Sequence, residues 1–319
     1  ICRLDMNNKK KTNITKIANG SYSSVFIVHS KSKEMNSVII KKLKNIDKKE
    51  QIILLRNEVY INMILKQAEK NEHKEGIDNI SIIDSYYGEI LDNEVKENSR
   101  NILNLRFDLE AQDLLGINND LSCNLLIFNY KPFITLFDYI NKIKYKNLKN
   151  FSNKKLLIDI LSGLNFIHQL EICHHDLKPE NIIIELSSDE YNKAKLIDFG
   201  FSTSTKFINS NGEDYNNNQC AFTGGTRQYV SPEKLPLFNA ENSNEYYDGY
   251  LSDIWSLGIV YFYTCFRVLP FIKANDQCKY YSIFKENQEV NSCSINLKEL
   301  NEELNKLIQE LNLTNKHNL

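Results

Sequence analysis

Residues 173–181 read Cys173-His174-His175-Asp176-Leu177-Lys178-Pro179-Glu180-Asn181, and they set a carboxylate, an ammonium and an amide side by side on one short segment. Pro179 fixes its own φ and removes a backbone donor, so the segment reads as a rigid loop closed at the proline. Three groups of these types have one demanding use in common. A carboxylate can orient an attacking hydroxyl, a cation can meet developing negative charge, and an amide oxygen beside a second carboxylate can hold a divalent ion.

The second carboxylate lies downstream. Residues 196–200, LIDFG, follow a β-type run and put Asp198 at a turn. Further on come GGTRQYVSPE (224–233) and SDIWSLG (252–258). Upstream, ANGSYSSV (18–25) sets Gly20 between two β-branched runs, where backbone N–H groups can approach a phosphate. Taken alone it reads as a hairpin turn. Lys41, in VIIKKL (38–43), is placed to meet Glu58 of the following helix and so be fixed on a phosphate. Taken alone, both are solvated surface charges.

Periodicity supplies the frame. The runs TKIA, SVFIVHS and SVIIKKL predict antiparallel strands around the Asn19-Gly20 turn. Ile52, Leu55, Val59 and Met63 predict a helix with an apolar stripe, and Glu58 sits on its shoulder. NISIIDSYY (79–87) and NLLIFNY (124–130) predict two more strands, with a polar insertion over about 91–122 between the fourth and fifth. Beyond Pro132 the pattern turns helical: Leu156, Leu157, Ile160, Leu161, Leu164 and Ile167 line one face. The apolar run from Ile254 to Pro270 is interrupted by Arg267 and predicts a buried core helix rather than a membrane span. The leucines at 297, 300, 304, 307 and 311 cover too few heptads for a coiled coil and predict a packed helix pair.

Composition narrows the function classes. A net charge of −2 gives no global attraction to nucleic acid or to anionic membrane. The seven cysteines are odd in number and never fall at C-x-x-C spacing, which argues against a disulfide framework or zinc site and for a reducing, intracellular compartment, cytoplasmic or nuclear. The first residue is not Met, and residues 1–14 are too polar for a signal peptide; they read as an extension on an excised segment.

The order glycine turn, Lys, Glu, H-x-D-x-K-x-x-N, D-F-G, S-P-E resembles that of the eukaryotic protein kinases, from about Thr15 to near the C-terminus. The resemblance implies a bilobal α+β fold: a small antiparallel β-sheet lobe with one main helix (15–130), and a larger, mostly α-helical lobe (131–319) carrying an activation segment over 198–233. It implies ATP and Mg2+ as cofactors and protein Ser/Thr hydroxyls as acceptors, since Lys178 is the serine/threonine mark. By resemblance Asp176 is the catalytic base, Lys178 the γ-phosphate contact, and Thr226 packs against both and helps admit the acceptor hydroxyl. Asn181 and Asp198 are the magnesium ligands. Gly20 covers the phosphates, Lys41 binds them and Glu58 is its helix partner, with Lys42 the rival to Lys41. Phe128 is the gatekeeper, the backbone of Asn129 and Lys131 faces adenine, and Val25, Ile39 and Ile183 sandwich it. Partners are a protein substrate and, where the insertion is more than a solvated loop, a regulatory protein docking on it. Glu180 suggests a modest preference for basic residues, while Thr135 stands where basophilic relatives hold a carboxylate. The subfamily is open between calmodulin-dependent-type and cell-cycle-type kinases.

Several positions depart from the family pattern. Ala18 and Ser23 replace glycines, which stiffens the phosphate loop. Asn62 stands at an apolar position of the regulatory stack, where a polar group needs a partner. Asn318 falls where an arginine would pair with Glu233. His175 replaces the arginine that reads an activation-loop phosphate, and imidazole is a poor fixed cation at neutral pH. Activity independent of that phosphate is the expectation. A nucleotide-binding pseudokinase is the alternative, and a small-molecule kinase, which lacks the S-P-E and D-x-W-S-x-G segments, a third.

Overall fold

A computed structural model describes residues 14–19, 23–29, 37–43, 49–70, 76–82, 85–87, 125–142, 148–204, 219–220, 224–239 and 246–290. Strands β1 (Ile14–Asn19), β2 (Ser23–Val28) and β3 (Val38–Leu43) lead to helix α1 (Lys49–Lys70), followed by β4 (Ser85–Tyr87) and β5 (Leu125–Asn129). These strands form one antiparallel sheet in the order β1, β2, β3, β5, β4. The predicted insertion and Gly20 lie outside the described residues, bracketed by β4 and β5 and by β1 and β2 respectively.

The sheet's alternation decides which lysine faces Glu58. Register pairs Val25 with Lys41 and Lys41 with Leu126, and Ile39 with Phe128. With a side-chain period of two, these residues share one face. Val28, Val38, Ile40, Leu125 and Ile127 form an apolar cluster on the other face, where Lys42 also belongs. A one-residue difference therefore separates Lys41 from its rival.

In α1 the stripe is rotated from the sequence expectation. Met63 is 53% exposed, whereas Val59, Ile61 and Leu65 are buried. The reason is that Glu58 and Asn62 occupy the inward face: both are buried, and Asn62 Nδ2 donates to the Glu58 carbonyl at 2.8 Å. The polar group thus has its partner within the helix.

The larger lobe begins with β6 (Phe133–Thr135), α2 (Leu136–Asn141), α3 (Asn153–Gln169) and β7 (Ile172–Cys173). Strands β8 (Ile182–Ser187) and β9 (Glu190–Leu196) join β6 in a three-stranded antiparallel sheet, ordered β6, β8, β9. Two short ribbons pair β10 (Thr203–Ser204) with β7 and β11 (Gln219–Cys220) with β12 (Tyr247–Asp248). Helices α4 (Gly249–Phe266) and α5 (Lys279–Val290) complete the described residues.

Caps explain the helix boundaries. Thr135 Oγ1, Ser152 Oγ and Asp248 Oδ1 each accept a backbone N–H in the first turn of α2, α3 and α4. Thr135, considered above for substrate contact, is thereby used as a cap. Arg267 ends α4 in the left-handed region at φ 63° and donates to the Tyr139 carbonyl at 3.1 Å, tying α4 to the end of α2.

The main core packs α3 between β9 and α4, with Leu156, Ile160, Leu164, Phe166 and Ile167 inward. Leu161, expected on that face, is exposed, and Phe166, on the other flank of the stripe, is buried. Among the described residues no helix is long and apolar enough to cross a membrane, and α4 buries one face, as the interrupted run predicted. Asn318 and the C-terminal leucine repeat lie outside the described residues.

Phe166→Ala should lower unfolding stability by about 3–5 kcal/mol, because its ring is fully buried. Ile158→Ala, on the same helix but 52% exposed, should change it by less than about 0.5 kcal/mol. Urea denaturation of the two variants checks the orientation of α3, and a larger loss for Ile158→Ala would contradict it.

Candidate active site

β3, α1 and the turn after β9 bring three charges together. Lys41 Nζ lies 2.9 and 2.8 Å from the two carboxylate oxygens of Glu58, and 2.8 Å from Asp198 Oδ1. Burial works to lower the Lys41 pKa, but Asp198 and Glu58 outweigh it and hold the ammonium above its ordinary value. Burial pushes the Glu58 carboxyl up to about 7, against the pull of Lys41. Asp198 is opposed by desolvation too, yet Lys41 keeps it below the usual carboxylate range.

Asp198 sits at φ 66°, a strained setting for a residue other than glycine, and the chain beyond it is tied to α1. Asn57 Nδ2 donates to the carbonyls of Gly200, at 3.1 Å, and of Ser202. The helix carrying Glu58 and the turn carrying Asp198 are thus locked to each other.

The second cluster is the loop 174–181. Thr226 Oγ1 donates to Asp176 Oδ1 at 2.6 Å, and Lys178 Nζ donates to Asp176 Oδ2 at 2.7 Å and to Thr226 Oγ1 at 2.9 Å. Asn181 Nδ2 donates to the Asp176 carbonyl at 2.9 Å and to Asp176 Oδ2 at 3.1 Å. With its amide nitrogen donating to Asp176, Asn181 has its side-chain oxygen left to offer as an acceptor. Ile197 N donates to the Asn181 carbonyl at 3.0 Å, which brings Asn181 beside Asp198. An amide oxygen and a carboxylate are hard donors of the kind magnesium takes.

What holds this loop is a residue whose role the sequence reading passed over. Asp253, in α4, is almost fully buried, and its carboxylate accepts the backbone N–H of His174 at 2.7 Å and of His175 at 2.8 Å. His168 Nε2 lies 3.0 Å from the same group. Burial would raise the Asp253 pKa, but the hydrogen bond from His168 and the neighbouring histidines bring it down to about 2. Such a carboxylate contributes stability that is present above its unfolded value near 3.8 and is lost as pH falls toward 2. The signal was available: SDIWSLG puts Asp253 on a helix otherwise apolar, where a buried carboxylate must have partners.

The two adjacent histidines separate. His174 is fully buried, with Nε2 3.1 Å from the Ile197 carbonyl and its ring 5.2 Å from that of Phe199. His175 is at φ 65°, with Nε2 2.8 Å from Thr203 Oγ1 and Nδ1 3.3 Å from the Tyr247 hydroxyl. Burial, then the Lys234 ammonium, hold its pKa below the ordinary histidine value. It is a neutral, enclosed ring rather than an exposed cation. Lys234 itself is buried, its Nζ 3.3 Å from the His175 carbonyl, and burial brings its pKa down to about 8.

The remaining predicted residues fall as follows. Val25, Ile39 and Phe128 lie on the Lys41 face of the sheet. Ile183 is buried in β8, opposite Thr135. Asn129 is exposed, and the Lys131 ammonium is 3.8 Å from Glu185 while its side chain is largely in solvent. Glu180 and Glu233 are exposed. Gly20 lies outside the described residues.

Comparison with known proteins agrees with this geometry. The family model for the protein kinase domain matches residues 12–318. The chain is 28% identical over 165 residues to CBL-interacting protein kinase 17 of Oryza sativa subsp. japonica, covering 51% of this chain and 33% of that protein. It is 30% identical over 138 residues to CBL-interacting serine/threonine-protein kinase 15 of Arabidopsis thaliana, covering 43% and 29%. It is 32% identical over 165 residues to serine/threonine-protein kinase ELM1 of Saccharomyces cerevisiae, covering 50% and 25%. The matched stretch thus spans a third or less of each of these relatives, while the family model spans nearly all of this chain. With its lysine–glutamate pair and its aspartate–lysine–asparagine loop in one fold, the chain belongs to the protein kinase family.

Proposed function

We propose that the chain is an active protein serine/threonine kinase that transfers the γ-phosphate of ATP to a Ser or Thr hydroxyl of a protein substrate. The observation that carries this is the bridge from Lys41 to both Glu58 and Asp198. A pseudokinase reading rests on Ala18, Ser23 and Asn62; Asn62 has its partner in the Glu58 carbonyl, and the reading leaves unexplained why Asp176, Lys178, Asn181 and Thr226 converge.

Asp176 accepts the proton of the acceptor hydroxyl as its oxygen attacks phosphorus. Lys178 places a cation beside that carboxylate, where charge develops on the phosphoryl group. Thr226, hydrogen-bonded to both, sets the width available to a small hydroxyl side chain. Asn181 and Asp198 would hold magnesium, which when bound neutralises charge on the phosphates. Lys41 holds the nucleotide phosphates, with Glu58 fixing its direction. Val25, Ile39 and Ile183 flank the adenine, Phe128 limits the depth of its pocket, the backbone of Asn129 and Lys131 meets its edge, and Gly20 covers the phosphates.

Four further readings accompany this one. Exposed Glu180 supports a modest preference for basic residues near the acceptor. The names of two relatives describe them as CBL-interacting, and the 91–122 insertion is the segment through which we propose that a regulatory protein docks. The setting is intracellular, cytoplasmic or nuclear. Because His175 is neutral and enclosed, activity is proposed to be independent of an activation-loop phosphate.

After phosphatase treatment, the chain incubated with ATP and magnesium should still phosphorylate casein and itself, and Asp198→Asn should abolish both. Full loss on dephosphorylation, regained on rephosphorylation, would contradict phosphate independence. Absence of transfer in the untreated chain would favour the pseudokinase.

The pH dependence follows from Glu58. Its raised pKa means that the carboxylate protonates as pH falls through about 7, removing half of the Lys41 bridge. Turnover at low ATP should therefore drop on the acid side of about pH 7. In Glu58→Gln that acid limb should flatten, with lower activity throughout; an unchanged profile would show that another group sets it.

A further inference from the structure

One cluster of chemically capable side chains is not used by the proposed transfer. Cys173 Sγ, Cys220 Sγ and one imidazole nitrogen of His175 all lie within 4.8 Å of one another, and all three residues are buried. They come from separate parts of the chain. Cys173 ends β7, His175 opens the catalytic loop, and Cys220 lies in β11, well inside the activation segment. Pairing of β7 with β10 and of β11 with β12 fixes them, through Thr203 opposite Cys173 and Tyr247 opposite Cys220.

We propose that Cys173, His175 and Cys220 form a zinc site that ties the catalytic loop to the activation segment. The donor set is two thiolates and an imidazole, the combination zinc favours in tetrahedral sites. The separation of the sulfurs agrees: they are 4.0 Å apart. Zinc–sulfur bonds of about 2.3 Å give a tetrahedral edge of about 3.8 Å, whereas a disulfide needs about 2.05 Å.

The surroundings are built for these groups. Gly249, at the start of α4, abuts them so closely that a Cβ there would stand 2.5 Å from Cys173 Sγ, 2.7 Å from Cys220 Sγ and 3.3 Å from the His175 ring. Any side chain would push the cluster apart. With one ring nitrogen of His175 on zinc, the other keeps a hydroxyl partner, Thr203 or Tyr247, as metal-bound imidazoles usually do. Water or the remaining hydroxyl completes the fourth position. Two thiolates and a divalent ion sum to zero charge, so the buried site adds no net charge between Lys234 and Asp253. Binding releases the two thiol protons to solvent.

Sequence spacing hid this site, because Cys173 and Cys220 are 47 residues apart and no C-x-x-C exists. The site also gives His175 a use. Where an arginine would read a phosphate on the activation segment, an imidazole and two sulfurs would join the same two segments through a metal.

The test is the zinc content of the full chain, purified without an affinity tag and dialysed against metal-free buffer. About one zinc per chain is expected, with loss to background in Cys173→Ser and Cys220→Ser and full retention in Cys278→Ser. Cobalt substitution of the wild-type chain should show thiolate-to-cobalt charge transfer of two-sulfur intensity, a readout that holds even where a variant fails to fold. A wild-type chain that takes up no stoichiometric zinc overturns the proposal. So does full zinc in Cys220→Ser, or a Cys173–Cys220 disulfide found by peptide mapping. A zinc-selective chelator should also lower turnover; that arm alone rests on the kinase reading, and metal content does not.

Discussion

The site depends on one buried carboxylate. Asp253 accepts the backbone N–H groups of His174 and His175 and contacts His168, so the loop bearing Asp176 is anchored to α4. A full negative charge inside a protein is costly unless hydrogen bonds surround it. Here three donors do so, and in the loop they hold, His175 sits at a φ of 65° and Asp176 meets Lys178, Asn181 and Thr226. The loop's geometry is thereby set before any substrate arrives, which is where electrostatic catalysis gains most.

The smaller lobe uses the same logic with opposite charges. Lys41 is shared between Glu58 and Asp198, and none of the three would be comfortable in its position without the others. Asn57 and Asn62 reinforce this polar seam from α1: one reaches the carbonyls of Gly200 and Ser202, the other caps the Glu58 carbonyl. A position expected to need an apolar side chain is thus satisfied by an amide bonded within its own helix. The departure at Asn62 leaves the helix inward.

The chemistry was legible where it is local. Asp176, Lys178 and Asn181 lie within one turn-like segment, so their types and spacing already describe what they can do. The pairing of Glu58 with Lys41 rather than Lys42 was readable as well, and the sheet's period of two supplies the reason. The faces of α1 and α3 were only partly legible: Met63 and Leu161 fit a stripe by spacing yet lie outward, while Glu58, Asn62 and Phe166 are buried. The short ribbons β7–β10 and β11–β12 were not legible at all, since two-residue strands have no periodicity to read. Consequently the meeting of Cys173, His175 and Cys220, which those ribbons create, was out of reach of any spacing rule.

The central claim is that Asp253 positions the loop that carries Asp176. The most direct measurement is steady-state phosphotransfer by Asp253→Asn, in which one carboxylate acceptor becomes an amide donor facing the backbone N–H of His174 or His175. The account predicts a kcat reduced by about a hundredfold, as expected for a misplaced reacting group, with KM for ATP near that of the unsubstituted chain because Lys41 and Glu58 are untouched. A variant with unchanged kcat would contradict it.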